Sequence, residues 1–234
     1  MKNLICTFGD SIMKGVVSSQ KDESGRPLYK LYDDCFVNRC EQQFGLTIMN
    51  YACFGSTTSQ GLKHISRHEK EVEDAEYILF EYGGNDCDHN WKEVSEAPNQ
   101  THHPKNPLNV FVKQYQDLIE KIRNVNGKPV ILSLPLIDPD KFFEFISTGL
   151  NRDNILEWLG GRTMRIYQWH EMYNVEIFKM ARRLNVPVID VTTPFLQVKN
   201  YTDYLCDDGI HPNEKGHALI AEAIAQNVGG VFAS

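Results

Sequence analysis

Five short apolar runs rich in β-branched residues recur along the 234-residue chain, at 4–8, 47–50, 77–82, 129–134 and 186–191. The second run can extend to Ala52. Each is too short for a stable helix and lacks apolar/polar alternation, so each reads as a strand buried on both faces. Between them lie segments of helical period. Phe111, Tyr115, Leu118, Ile119 and Ile122 recur at three- and four-residue spacing, which places them on one helical face. A second stripe runs over 165–184 through Ile166, Trp169, Tyr173, Ile177, Met180, Ala181 and Leu184. A last helix is expected over 213–225, with Pro212 near its first turn, where a missing N–H costs nothing. Buried strands alternating with amphipathic helices point to a parallel sheet covered on both faces. Right-handed crossovers then make it an open, doubly wound, three-layer α/β/α sandwich. Five strands suit a flavodoxin-like order better than a larger dinucleotide-binding fold.

A chain of this length is expected to form one domain over 1–234, with enough apolar residues (41%) for a core that needs no staples. Two stretches, about 87–109 and 138–162, are too long and irregular for plain connections and read as insertions. The second carries Phe142, Phe143, Phe145, Ile146, Trp158 and Leu159, enough apolar surface to cover a site or to pack on a neighbouring subunit. A homo-oligomer is compatible with this pattern. The net charge of −7 repels phosphate backbones, so nucleic acid is not an expected partner. No apolar run approaches the ~18 residues of a membrane span, so stable membrane insertion is not expected. Six cysteines with no Cys-x-x-Cys pair, behind an N-terminus that does not read as a secretory signal, suggest free thiols in a cytoplasmic protein. Cys87 and Cys206 fall nearest the functional edge; the others read as inert.

Open parallel sheets bind ligands at the carboxyl ends of their strands. The residues after the runs are therefore the informative ones: Gly9-Asp10-Ser11-Ile12, Cys53-Phe54-Gly55-Ser56, Gly83-Gly84-Asn85-Asp86 and, past the fifth run, Asp207-Asp208-Gly209-Ile210-His211. They supply the parts of an acyl-transfer site. A serine hydroxyl such as Ser11 needs a base within reach. His211 stays largely neutral near pH 7 and can take the proton. Asp208 can fold back onto the other ring nitrogen, with Gly209 permitting the tight turn. The main-chain N–H groups of Ser11 and Gly55 and the Asn85 amide are candidate donors for an oxyanion.

In this order the four blocks resemble the SGNH hydrolases, the GDSL-type esterase and lipase family. The resemblance spans Ser11 to His211 and implies the sandwich already inferred. It implies Ser11 as nucleophile, His211 as base, Asp208 as its orienter, and Ser11, Gly55 and Asn85 as oxyanion hole. The implied activity is hydrolysis of carboxylic esters through an acyl-serine intermediate, with no cofactor or metal. The implied partner is a small-molecule ester: a small acyl or acetyl ester, an acetylated carbohydrate, a lysophospholipid or a thioester. Ile12 stands where the family usually has leucine, a volume-conserving change. Glu81 and Tyr82 stand where apolar residues are more expected, and Glu81 reads as paired with a nearby cation ahead of touching substrate. Met13 excludes a Gly-x-Ser-x-Gly elbow, and with it an α/β-hydrolase fold.

Blander readings accompany these. Ser11 alone fits an N-cap of the first helix, Gly55 a turn glycine, Asp86 a first-turn acid and Asp207 a solvated loop charge. His102 and His103 read as loop residues and not metal ligands; His64, His68, His170 and His217 read as helix-surface residues. Trp158 and Trp169 read as packing, and Trp91 as the aromatic that touches substrate. A rival function is a phosphate- or nucleotide-binding module using Ser56, Thr57, Thr58, Ser59 and Gly61 at a helix start. It lacks both a Gly-x-Gly-x-x-Gly fingerprint and a P-loop lysine.

Overall fold

The computed structural model describes residues 4–23 and 27–231. In chain order its strands are β1 (Leu4–Gly9), β2 (Val16–Lys21), β3 (Pro27–Leu31), β4 (Thr47–Asn50), β5 (Tyr77–Glu81), β6 (Pro129–Leu132) and β7 (Val188–Ile189). The helices are α1 (Phe36–Phe44), α2 (Thr58–Arg67), α3 (Glu69–Asp74), α4 (Trp91–Glu96) and α5 (Leu108–Asn124). They continue with α6 (Pro139–Ile146), α7 (Arg152–Trp158), α8 (Met164–Leu184), α9 (Thr192–Gln197) and α10 (Glu214–Val231). A 3-10 turn spans Tyr201–Tyr204.

Five strands pair in parallel in the order β4-β1-β5-β6-β7. These are the five apolar runs in flavodoxin-like order, and helices cover both faces. Alternation along β1 and β5 divides the core. Ile5 and Leu79 face Phe36 of α1 and Ile220 and Ile224 of α10. Cys6, Phe8, Ile78 and Phe80 face Ile65 of α2, Phe111, Tyr115 and Ile119 of α5, and Ile177 of α8. Burying each such large side chain contributes roughly 1.5–3 kcal/mol, so the expected stripe on α5 suffices to hold that helix on the sheet. Among the described residues no helix is long and apolar enough to cross a membrane.

β5, β6 and β7 end one or two residues earlier than their apolar runs, and beyond β6 and β7 side chains take over from the ladder. The Ser133 hydroxyl accepts from Val191 N (2.9 Å) and Thr192 N (3.2 Å). Asn174 Oδ1 accepts from Leu134 N (3.0 Å), and the Thr192 hydroxyl donates to Leu134 O (2.7 Å). The antiparallel hairpin β2–β3 was not expected, since its Val-Val-Ser-Ser stretch has no strong period. The 138–162 stretch forms α6 and α7. It builds a core of its own with α4: Phe142, Phe143, Ile155 and Leu159 pack with Trp91, Val94, Ile137 and Ile166.

Two of the histidines expected on helix surfaces are buried instead. His217 is fully enclosed, with its ring against Tyr32 and Phe36. His170 is buried on α8, where its Nδ1 lies 3.3 Å from Glu171. Polar spacing alone placed both outside; Tyr32 and Phe36 cover His217, and His170 faces a cavity at the edge of the sheet.

Candidate active site

All four rim blocks lie at the carboxyl end of the sheet. After β1 the chain turns sharply because Asp10 Oδ1 accepts from Ile12 N (2.8 Å). Gly9 makes room for this: a Cβ there would stand 2.7 Å from Met13 Cβ and 2.9 Å from Glu81 O. Ser11 follows, and no helix starts at it; the chain continues through a turn into β2, so the N-cap reading does not hold.

The second half of the site is a local loop 200 residues away. Asp208 Oδ1 accepts from Ile210 N (3.1 Å) and His211 N (3.0 Å), and Gly209 between them takes φ +76°. This fold-back lets His211 Nδ1–H donate to Asp208 Oδ2 at 2.7 Å. Nε2 is then left as an acceptor for the Ser11 hydroxyl, 2.8 Å away. All three side chains are buried. Burial pushes the Asp208 carboxyl up, but hydrogen bonds from the His211 ring and the main-chain N–H groups outweigh it and hold the carboxyl below its ordinary range. Asp207 is exposed, as expected of a loop charge.

Opposite the serine, the main-chain N–H groups of Ser11 and Gly55 meet no acceptor among the described residues. Gly55 has φ +69°, a conformation that favours glycine. Asn85 donates one Nδ2 hydrogen to Asp10 Oδ2 (2.8 Å) and keeps the second free. Three unspent donors beside a hydroxyl that faces a base can stabilise charge developing on a carbonyl oxygen.

Beside these groups opens a cavity of about 410 Å³ with mainly apolar walls. Trp91 lines it, as expected, together with Phe142, Phe145 and Ile146 of α6 and Ile166 and Trp169 of α8. Trp169 therefore forms part of the cavity wall, beyond the packing role read from its spacing. The wall is braced from behind. Trp91 Nε1 donates to Asp88 Oδ1 (2.8 Å), Lys105 pairs with Asp88 (2.9 Å), and Asn154 of α7 donates to Ser95 O of α4 (2.7 Å). Cys87 also lines the cavity, and burial pushes its thiol well up, away from reactivity. His89 lines it between Trp91, Trp158 and Trp169, and burial lowers its imidazole to about 4.

Sequence reasoning missed Tyr29 and Phe54. Their rings lie 5.1 and 6.0 Å from that of His211 and 5.3 Å from each other. Tyr29 sits on β3, which carried no sequence signal; Phe54 adjoins Gly55 and is the aromatic that rim position alone would have found.

Three further expectations need correction. Among the described residues Glu81 pairs with no cation: it is fully buried beside Asp10. Asp86 does not serve a helix of its own; it caps α2, accepting from Thr58 N (3.1 Å) and Thr58 Oγ1 (2.6 Å). That bond fills the helix start on which the phosphate-binding reading depended. Thr57 is engaged with Gln60, Ser59 with Gln114, and Gly61 lies so close to Tyr82 that a Cβ would stand 2.6 Å from its ring. His102 packs its ring against Trp158 and its Nε2 lies 2.9 Å from Ala97 O. Among the described residues no group of three or more His, Cys, Asp or Glu side chains is placed to hold a metal ion.

Residues 7–219 match the model of the GDSL-like lipase/acylhydrolase family. Two relatives in sequence are an uncharacterized protein, YpmR, of Bacillus subtilis and an isoamyl acetate-hydrolyzing esterase of Saccharomyces cerevisiae. The first is 24% identical over 96% of this chain and 81% of its own length. The second is 23% identical over 93% and 82%. Among solved structures, a lipase/acylhydrolase from Enterococcus faecalis superposes with a TM-score of 0.64 at 19% identity, covering 97% of this chain and 95% of that one. A catalytic mutant of an acetylxylan esterase from Geobacillus stearothermophilus gives 0.64 at 16% identity, covering 97% and 94%.

Proposed function

The chain belongs to the GDSL-like lipase/acylhydrolase family and is a carboxylic ester hydrolase; we propose that it works through an acyl-serine intermediate on esters with an apolar body. The observation that carries the mechanism is the unbroken chain Asp208–His211–Ser11, at 2.7 and 2.8 Å, facing three donors with hydrogens to spare.

In this reading Ser11 Oγ attacks the ester carbonyl while its proton passes to His211 Nε2. Charge develops on the carbonyl oxygen between Ser11 N–H, Gly55 N–H and the free hydrogen of Asn85. Asp208 keeps the imidazole in the right tautomer and stabilises its cationic form. The alcohol leaves with the proton from Nε2. A water molecule, deprotonated by the same nitrogen, then attacks the acyl carbon; the acid departs and Ser11 regains its proton.

The cavity supports the choice of substrate. An acetylated sugar brings several hydroxyls that need partners, and leaving them unpaired in an indole- and phenyl-lined cavity is costly. An aliphatic or aryl group gains by burial there. This favours apolar acyl esters over acetylated carbohydrate.

A series of activated esters graded by acyl length tests both parts. We expect kcat/KM to rise roughly fourfold per methylene until the cavity is filled and then to fall. Ser11→Ala is expected to lose nearly all activity with folding intact. Equal hydrolysis by Ser11→Ala would refute the mechanism, and a preference for acetylated xylose oligomers would refute the substrate assignment.

A further inference from the structure

Glu81 ends β5 with its backbone in register with Gly9, and its side chain lies beside Asp10. It is fully buried. Among the described residues no N–H or O–H donor reaches either carboxyl oxygen in ordinary hydrogen-bond geometry; the Asp10 main-chain N–H offers only weak stabilisation. The Asp10 carboxyl lies within hydrogen-bonding reach, Asp86 is the next charge, and the Tyr82 and Tyr115 hydroxyls nearby have no partner either. The charges that act most on Glu81 are thus all negative.

Two carboxyl groups side by side in a buried site cannot both ionise, so one holds a proton; the His211 ring, the nearby group that can carry positive charge, favours the ionised form of Asp10. The bonding pattern says which. Asp10 must accept twice, from Ile12 N on Oδ1 and from Asn85 Nδ2 on Oδ2, both at 2.8 Å, and so needs its oxygens bare. Glu81 has no donor to satisfy, and ionising it there would leave a buried charge uncompensated. Burial and the neighbouring carboxylates accordingly raise Glu81 well above its ordinary range.

We propose that Glu81 stands protonated at neutral pH and donates that proton to Asp10, which fixes Asp10 as the acceptor that aims the Asn85 amide into the oxyanion hole. Glu81 is a positioning residue: it touches no substrate and acts through Asp10 and Asn85. The inference rests on the reading of Asn85 as an oxyanion donor.

The test compares Glu81→Gln, which keeps a donor, with Glu81→Met, which keeps the volume without one. Glu81→Met is expected to lower kcat ten- to a hundredfold with KM little changed, below the roughly 10²–10³ for losing one oxyanion donor outright. Glu81→Gln is expected to recover most of that loss. In an Asn85→Ala background Glu81→Met should cost less than twofold, because the donor it serves is gone. Infrared spectra at neutral pH should show a protonated carboxylic acid band in the wild type that is missing from Glu81→Gln. Absence of that band from the wild type, equal kcat for the Gln and Met variants, or an undiminished Met effect without Asn85 would each overturn the proposal. The infrared result stands even if Glu81→Met does not fold. If the wild type hydrolyses no ester at all, the acyl-serine reading has failed, while the infrared band still decides the protonation of Glu81.

Discussion

Gly209 joins the Asp208–His211 loop to the cavity wall, and replacing it with alanine should damage both. Its φ of +76° already costs an alanine about 1–2 kcal/mol. A Cβ would also stand 2.6 Å from both Asp138 O and Phe142 N, main-chain atoms that cannot swing aside, and 2.9 Å from Lys141 Cβ. Relief requires the start of α6 to move away. That breaks the bond from Asp138 N to Gly209 O (2.8 Å), worth about 1 kcal/mol, and loosens the buried Phe142. With about 1 kcal/mol more for the loosened Phe142, the sum is roughly 3–4 kcal/mol, a fall in Tm of about 10 °C for a chain of this size. Gly160→Ala supplies the control: its φ is +72°, but no atom of the described residues lies within 4 Å of the added Cβ, so it should incur only the backbone strain. Thermal unfolding followed by circular dichroism, with kcat/KM on an apolar ester, reads both effects. We expect Gly209→Ala to melt well below Gly160→Ala and to lose at least tenfold in kcat/KM, with Gly160→Ala within twofold of the parent. Equal melting temperatures for the two variants would refute the clamp between the Asp208–His211 loop and α6.

Asn85→Ala should lower kcat by the order of 10²–10³ with a modest change in KM, measured on the same ester; a drop in binding alone would place the amide outside the oxyanion hole. Stability should fall as pH drops from about 6.5 to about 4. His217 and His89 are both lowered to about 4 by burial, so the unfolded chain takes up protons in that window before the native state does. Each adds a slope of up to about 1.4 kcal/mol per pH unit. Urea unfolding of His217→Phe at pH 5 and pH 7 should show a shallower dependence than the parent; an unchanged slope would mean that His217 is not held neutral.

The sheet was legible because its inner strands are apolar runs buried on both faces, although β4 at the edge, with Thr47 and Asn50, is largely exposed. The helix over Phe111, Tyr115 and Ile119 was legible from spacing alone. So were Ser11, Gly55, Asn85, Asp208 and His211 as candidates, since the carboxyl ends of parallel strands set where to look. What stayed hidden depends on contacts between distant segments. The partner of Glu81 follows from its register with Gly9, and the burial of His217 from Tyr32 and Phe36. Tyr29 reaches His211 only because Val16–Lys21 pairs with Pro27–Leu31, and nothing in the alternation of those residues announces a hairpin. The role of Asp86 as the cap of a helix that starts 28 residues earlier is likewise a tertiary fact.

A covalent label reads the central claim most directly. Treated with a fluorophosphonate, the protein should gain one phosphonyl group, mapped by peptide mass spectrometry to the segment containing Ser11, and lose esterase activity in step. Ser11→Ala should gain none. Ester hydrolysis that survives stoichiometric labelling, or a label carried on another residue, would contradict the account.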